Sequence, residues 1–256
     1  VEEGVEKNHT GILIHRVLER FWQKVVSHQA LMANTTKNQQ LLQNIIDEEM
    51  ALVGNQYQAD FLKQESLRIY NLLLEWLELE KKRPAFQVVG FETNYQLTLA
   101  SLLFNVKIDR VDKVASGNVI IDYKTGKASI AELSKYPIEK PQLAIYLTAP
   151  IEQVVGLGYG LIHADEKPKF SALVQEEDVL LKDRNVKLFS SLSDKEDQPF
   201  YELDWQAGLA YLTSQVEELA LSIQQGDARL KINDEVAMSY SNSLLALRLP
   251  EAKEQL

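Results

Sequence analysis

Ile108-Asp109-Arg110-Val111-Asp112 and Ile120-Ile121-Asp122-Tyr123-Lys124-Thr125-Gly126 decide how this chain is read. Between them lies Ser116-Gly117-Asn118, a turn signal, so the two runs read as a hairpin. Side chains alternate faces along a strand, which points Asp122 and Lys124 the same way. A two-residue loop at Ser116-Gly117 sets Asp109 opposite Lys124, and a four-residue loop from Val114 to Gly117 sets it opposite Asp122. In either register Asp109 shares their face. Arg110 and Asp112 fall on the other face and read as a structural ion pair.

Two carboxylates a few ångströms apart repel, and a shared cation relieves the repulsion. Oxygen ligands favour a hard ion such as Mg2+ or Mn2+. Such an ion can activate water and neutralise a phosphodiester, while a neighbouring lysine orients the water or stabilises the developing charge. The plain alternative is a solvated hairpin carrying Asp and Lys as cross-strand ion pairs.

Outward from the hairpin, Val88–Leu99 reads as the preceding strand, Leu102–Val114 and Asn118–Lys124 as the hairpin strands, and about 153–164 and 168–175 as later ones. Ile14, Leu18, Phe21 and Val25 recur at helical spacing and predict a helix over 10–28, with Thr10 as its N-cap. A long helix is expected from about 57 to 82, ended by Pro84. The polar, Asn/Gln-rich stretch 28–60 reads as a short helix between loops. A helix is expected near 139–148 and an amphipathic one over 204–224, with the last thirty residues irregular apart from one short helix. The order predicts an α/β fold: a mixed central sheet with an antiparallel strand meander, flanked by helices. The helical N-terminal part spans about 10–84, the sheet core about 86–176 and the helical C-terminal part about 178–256. All of it, 1–256, reads as one domain. The chain begins with Val1, and the expectation is a piece cut from a larger protein.

The 256 residues include no cysteine, which excludes disulfides, cysteine-bound zinc and cysteine-ligated iron–sulfur clusters. No apolar run approaches the roughly 20 residues of a membrane helix, no secretory signal stands at the start, and the expectation is a cytoplasmic protein with no membrane partner. No Gly-rich phosphate loop is present. The net charge is −10, so nucleic acid would have to be held locally, through metal ions, or with a partner domain.

Ile-Asp-Arg-Val-Asp, Ile-Asp-Tyr-Lys-Thr-Gly and the later Gln-Leu-Ala-Ile-Tyr together resemble the RecB-like nuclease domain of the PD-(D/E)XK superfamily, over motifs from about residue 11 to 146. The resemblance implies a restriction-endonuclease-like core and a role for each matching residue. Asp109 and Asp122 would bind metal, with the backbone carbonyl of Tyr123 completing the shell, and Lys124 would be catalytic. His15, in Gly11-Ile12-Leu13-Ile14-His15, would be a further metal ligand, and Glu92 would add an acid from the preceding strand. Gln142 and Tyr146 would help position DNA. Read without the motif, His15 pairs with Glu19 on the helix surface, Glu92 is solvated, and Tyr146 edges the core. Ile108 stands where some relatives have proline. Ser239-Tyr240-Ser241-Asn242 and Leu245–Arg248 have the shape of an element that carries an iron–sulfur cluster in some relatives, but without cysteine.

The resemblance implies an Mg2+- or Mn2+-dependent DNA nuclease, exonucleolytic, from a repair or recombination protein with a helicase-like region. The alternatives are an uncutting nuclease-fold module that binds DNA or protein, and a hydrolase of small phosphoesters.

Overall fold

The computed structural model describes residues 7–53, 59–138, 140–196 and 199–227. The helices are α1 (Lys7–Lys24), α2 (His28–Ala33), α3 (Thr35–Val53), α4 (Ala59–Glu80), α5 (Gln142–Tyr146), α6 (Ser190–Ser193) and α7 (Trp205–Gln224). The strands are β1 (Gln87–Leu99), β2 (Leu102–Lys113), β3 (Asn118–Lys124), β4 (Val154–Leu161), β5 (Lys169–Val174) and β6 (Val186–Leu188). They form one sheet in the order β1-β2-β3-β4-β5-β6. The pairs β1/β2, β2/β3 and β4/β5 are antiparallel, while β3/β4 and β5/β6 are parallel. This is the mixed, helix-flanked sheet that the hairpin and its surroundings predict.

A parallel neighbour cannot be reached by a tight turn. The chain therefore leaves β3, passes a 3-10 turn at Ile130–Ser134 and α5, and re-enters the sheet as β4. That crossover carries Gln142 and Tyr146 over the end of β3. Alternation along β3 splits the core in two. Ile121 and Tyr123 pack with Leu18 and Trp22 of α1, Ile46 of α3 and Trp76 of α4. Ile120 packs on the other side with Leu143 of α5 and Leu212 and Val216 of α7. Full burial of such side chains stabilises the fold by roughly 1.5–3 kcal/mol each before ordering costs.

Three expectations change. Within the stretch 28–60 the described residues 28–53 are mostly helix, because Leu42, Ile45, Ile46 and Met50 form a buried stripe that the Asn/Gln-rich remainder conceals. Buried Asn38 donates to the carbonyls of Ala30 and Leu31 at 3.1 and 2.9 Å, tying α3 to α2. Thr10 lies inside α1 and is not its N-cap; its hydroxyl donates to Glu65 Oε1 at 3.3 Å. The helix near 139–148 is a five-residue turn, Gln142–Tyr146. The expected C-terminal short helix and the Ser239–Arg248 element lie outside the described residues.

Gly158 on β4 faces a site with no spare volume. A Cβ there would sit 2.5 Å from Ala172 Cβ and 2.6 Å from Ser171 O on β5. Gly158→Ala is expected to cost about 1–3 kcal/mol through overpacking, read as a lowered urea midpoint. An unchanged midpoint would show that β4 and β5 separate at no cost.

Candidate metal and nuclease site

Of the two hairpin registers, the four-residue loop is realised. Lys113 pairs with Asn118, and Val114 N–H donates to Gly117 O at 2.8 Å. Arg110 then pairs with Ile121, which puts Asp109 in line with Asp122. On the other side Phe91 pairs with Arg110 and Thr93 with Ile108, which puts Glu92 in line with Asp109. Three acids thus form a row across three neighbouring strands.

The sheet opens where the row lies. The β2/β3 ladder stops at Arg110/Ile121, although β3 continues along β4 to Lys124. Beyond that point the Asp109 carboxylate takes the place of a backbone acceptor: Tyr123 N–H donates to Oδ2 at 2.7 Å. At Glu92 the backbone is left-handed, φ 46°, a conformation that costs a non-glycine residue about 1–3 kcal/mol. Its side chain is only 8% exposed, so it is not the solvated strand glutamate of the plain reading.

His15 reaches the row from α1. A Cβ on Gly11 would lie 3.1 Å from Thr125 Oγ1, so glycine lets this end of α1 approach the turn that follows Lys124. His15 Nδ1 stands 3.4 Å from Asp109 Oδ2 and 3.8 Å from Glu92 Oε1, rather than pairing with Glu19. Burial opposes an imidazolium here, but Asp109 and Glu92 outweigh it and push the His15 pKa up to about 10. Glu92 Oε2 forms an ion pair with Lys107. Burial raises the Glu92 pKa, but His15 and Lys107 together pull it below the usual carboxylate value.

Asp122 is held from the opposite helical layer and is 1% exposed. Its Oδ1 accepts from Gln142 Nε2 and from the Tyr146 hydroxyl, each at 2.8 Å. Lys124 Nζ donates to Gln142 Oε1 at 2.8 Å and forms an ion pair with Asp122 Oδ2. That contact is close but lacks hydrogen-bond alignment, so buried Oδ2 has no well-oriented donor. Burial and the charge of Asp109 raise the Asp122 pKa, against the pull of Lys124 and Tyr146. Gln142 and Tyr146, one helical turn apart, are thus turned onto the row's third acid.

A family model for the PD-(D/E)XK nuclease superfamily matches residues 1–234. The chain belongs to the PD-(D/E)XK nuclease superfamily. No curated protein matches it. The mixed sheet and its flanking helices form the restriction-endonuclease-like core of this superfamily. PD-(D/E)XK nucleases use divalent metals, and the residues here fit one. His15, Glu92 and Asp109 each offer a ligand atom, all within 4.8 Å of one another. The donors are carboxylate oxygens and an imidazole, and Asp122 Oδ2 is a buried acceptor without an aligned donor. Among the described residues, no helix of this PD-(D/E)XK chain is long and apolar enough to cross a membrane.

Two neighbours were not singled out from the sequence. Lys107 lies two residues before Asp109 on β2, so strand alternation alone would have found it. The Tyr159 ring centroid lies 5.9 Å from Lys124 Nζ; that neighbour depends on the parallel β3/β4 pairing and has no local signal.

Proposed function

We propose that this chain is a RecB-like, Mg2+- or Mn2+-dependent DNA nuclease domain, exonucleolytic, serving DNA repair or recombination. In this reading residues 1–256 form one nuclease domain of a larger cytoplasmic protein, beside a helicase-like region. The observation that carries the reading is the row Glu92, Asp109 and Asp122, met by His15 from one helical layer and by Lys124 and Gln142 at the other end.

His15, Glu92, Asp109 and Asp122, with the Tyr123 carbonyl, would hold the ion. It supplies positive charge where the phosphodiester gains negative charge, and makes water a better nucleophile at neutral pH. The nitrogen donor of His15 favours Mn2+ over Mg2+. The chain's own groups do the rest. Tyr123 N–H fixes Asp109, Tyr146 and Gln142 fix Asp122, and Gln142 Oε1 aims Lys124. Lys124 would orient the attacking water or stabilise the transition-state charge. Gln142 would also contact DNA as it enters, whereas Tyr146, buried and bonded to Asp122, would act on DNA only by positioning that acid.

Cleavage of end-labelled single- and double-stranded DNA in Mg2+ or Mn2+, beside EDTA and Asp122→Ala controls, tests the reading. Metal-dependent loss of label from wild type alone is expected. Uncut DNA at every metal concentration would instead favour a module that only binds. Binding should also stabilise the fold by mass action, by about 2.7 kcal/mol at a hundredfold excess over Kd. Millimolar Mn2+ is therefore expected to raise the Tm of wild type and not of Asp109→Asn. An equal rise in both would place the ion elsewhere.

A further inference from the structure

The His15–Glu92–Asp109 cluster lies in a cleft of about 390 Å3 between α1 and the β1/β2 hairpin. Arg16 stands on its helical wall and Lys107 on its sheet wall. Their side chains are 57% and 54% exposed. A chain of net charge −10 repels DNA as a whole, so cations placed beside the acids are one source of local attraction. Several cations are committed to other partners. Arg20 is bound to Glu48 and Glu49, Arg68 to Glu65, and Lys124 to Asp122 and Gln142. Arg16 is only loosely held, 3.9 Å from Glu49, and Glu49 already accepts from Arg20 at 2.9 Å. Lys107 is paired with Glu92, which belongs to the His15–Glu92–Asp109 group able to hold a metal. An ion sharing the charge of Glu92 would weaken its hold on Lys107 and leave the ammonium at the mouth of the cleft.

We propose that Arg16 and Lys107 form a phosphate clamp across this cleft, gripping the backbone of a DNA strand beside the acids without reading its bases. The clamp rests on the nuclease reading above. Contacts of this kind position a strand and leave sequence unread, and each phosphate neutralised releases condensed counterions.

The test uses Lys124→Ala as a binding-competent, cleavage-poor parent in Mn2+. Its affinity for labelled single-stranded and duplex DNA is measured across a salt series, alone and with Arg16→Gln or Lys107→Gln added. Each added change is expected to weaken binding severalfold at low salt. It should also lower the slope of log K against log salt by about 0.7 on single strands or 0.9 on duplex. Lys107→Arg should restore the slope, and calorimetric Mn2+ titration should be unchanged by Arg16→Gln. Unaltered slopes in both glutamine variants, with the parent still binding, would overturn the clamp alone. A Lys107→Gln variant that loses Mn2+ affinity at an unchanged slope would make Lys107 a positioning residue for Glu92 and remove it from the clamp. A parent that binds no DNA would sink the nuclease reading and the clamp together.

Discussion

Replacing Lys124 by alanine is expected to slow DNA cleavage by about 100- to 1,000-fold while leaving Mn2+ affinity intact or slightly higher, the usual scale for losing one preorganised transition-state contact. The split follows from where Nζ is held. It faces Asp122 Oδ2 and Gln142 Oε1, and it offers only N–H donors, so it cannot ligate a cation. Removing it takes a positive charge away from the acids, which favours a bound ion, and takes a donor away from the reacting phosphate. Asp122→Ala should lose metal binding and cleavage together, because it deletes an acid of the row. A passive ion pair would show no such split; either change would cost a little stability and nothing else. Single-turnover cleavage and calorimetric titration on both variants measure the two quantities separately. Wild-type cleavage by Lys124→Ala would make the lysine structural and end the proposed mechanism.

The largest stability effect is expected behind the site, at Arg110. Its guanidinium binds Asp112 Oδ1 through Nε at 2.6 Å and Glu80 Oε1 through Nη1 at 2.8 Å. Arg83 completes the group, 2.7 Å from both Glu80 Oε2 and Asp112 Oδ2. All four side chains are 1% exposed or less. Burial works against the charge on Arg110, but Asp112 and Glu80 outweigh it and raise its pKa well above the ordinary value. The guanidinium also stacks on Trp22, 3.9 Å from the ring centroid, and donates to the Tyr123 hydroxyl at 3.0 Å. Two positive and two negative charges balance. Arg110→Met leaves Glu80 and Asp112 with one partner between them, an uncompensated buried charge worth about 3–5 kcal/mol. Arg68→Met, which breaks a surface pair with Glu65, should cost less than about 1 kcal/mol. Urea unfolding of the two variants compares them directly, and equal losses would mean that the buried group is solvated in the folded state. Tyr123 links this network to function: its hydroxyl faces the buried charges, while its backbone N–H holds Asp109.

Much of this was legible locally. Strand parity alone placed Asp109, Asp122 and Lys124 on one face and Arg110 with Asp112 on the other, because a period of two allows no third arrangement. The three-strand meander and the helices α1 and α7 followed from hydrophobic spacing, and the end of α4 from Pro84, all properties of neighbours in the chain. The helical stretch α3 is obscured because Asn and Gln dilute its buried stripe of Leu42, Ile45, Ile46 and Met50. β6, at three residues, is too short to carry any period.

Register and company were decided elsewhere. The residues Val114–Gly117 permit either loop, and the choice that aligns Asp109 with Asp122 comes with packing of the hairpin into the sheet. Glu92 looked like any exposed strand glutamate; its left-handed backbone and its burial between His15 and Lys107 exist only once α1 lies against β1 and β2. The pinning of Asp122 by Gln142 and Tyr146 required the crossover to β4, which joins residues 20 and 24 positions apart. By itself the sequence determined which side chains share a strand face, since that depends on backbone geometry repeating every two residues. Only the tertiary structure decided which charges meet across elements, since burial and partner distance depend on how separate elements pack.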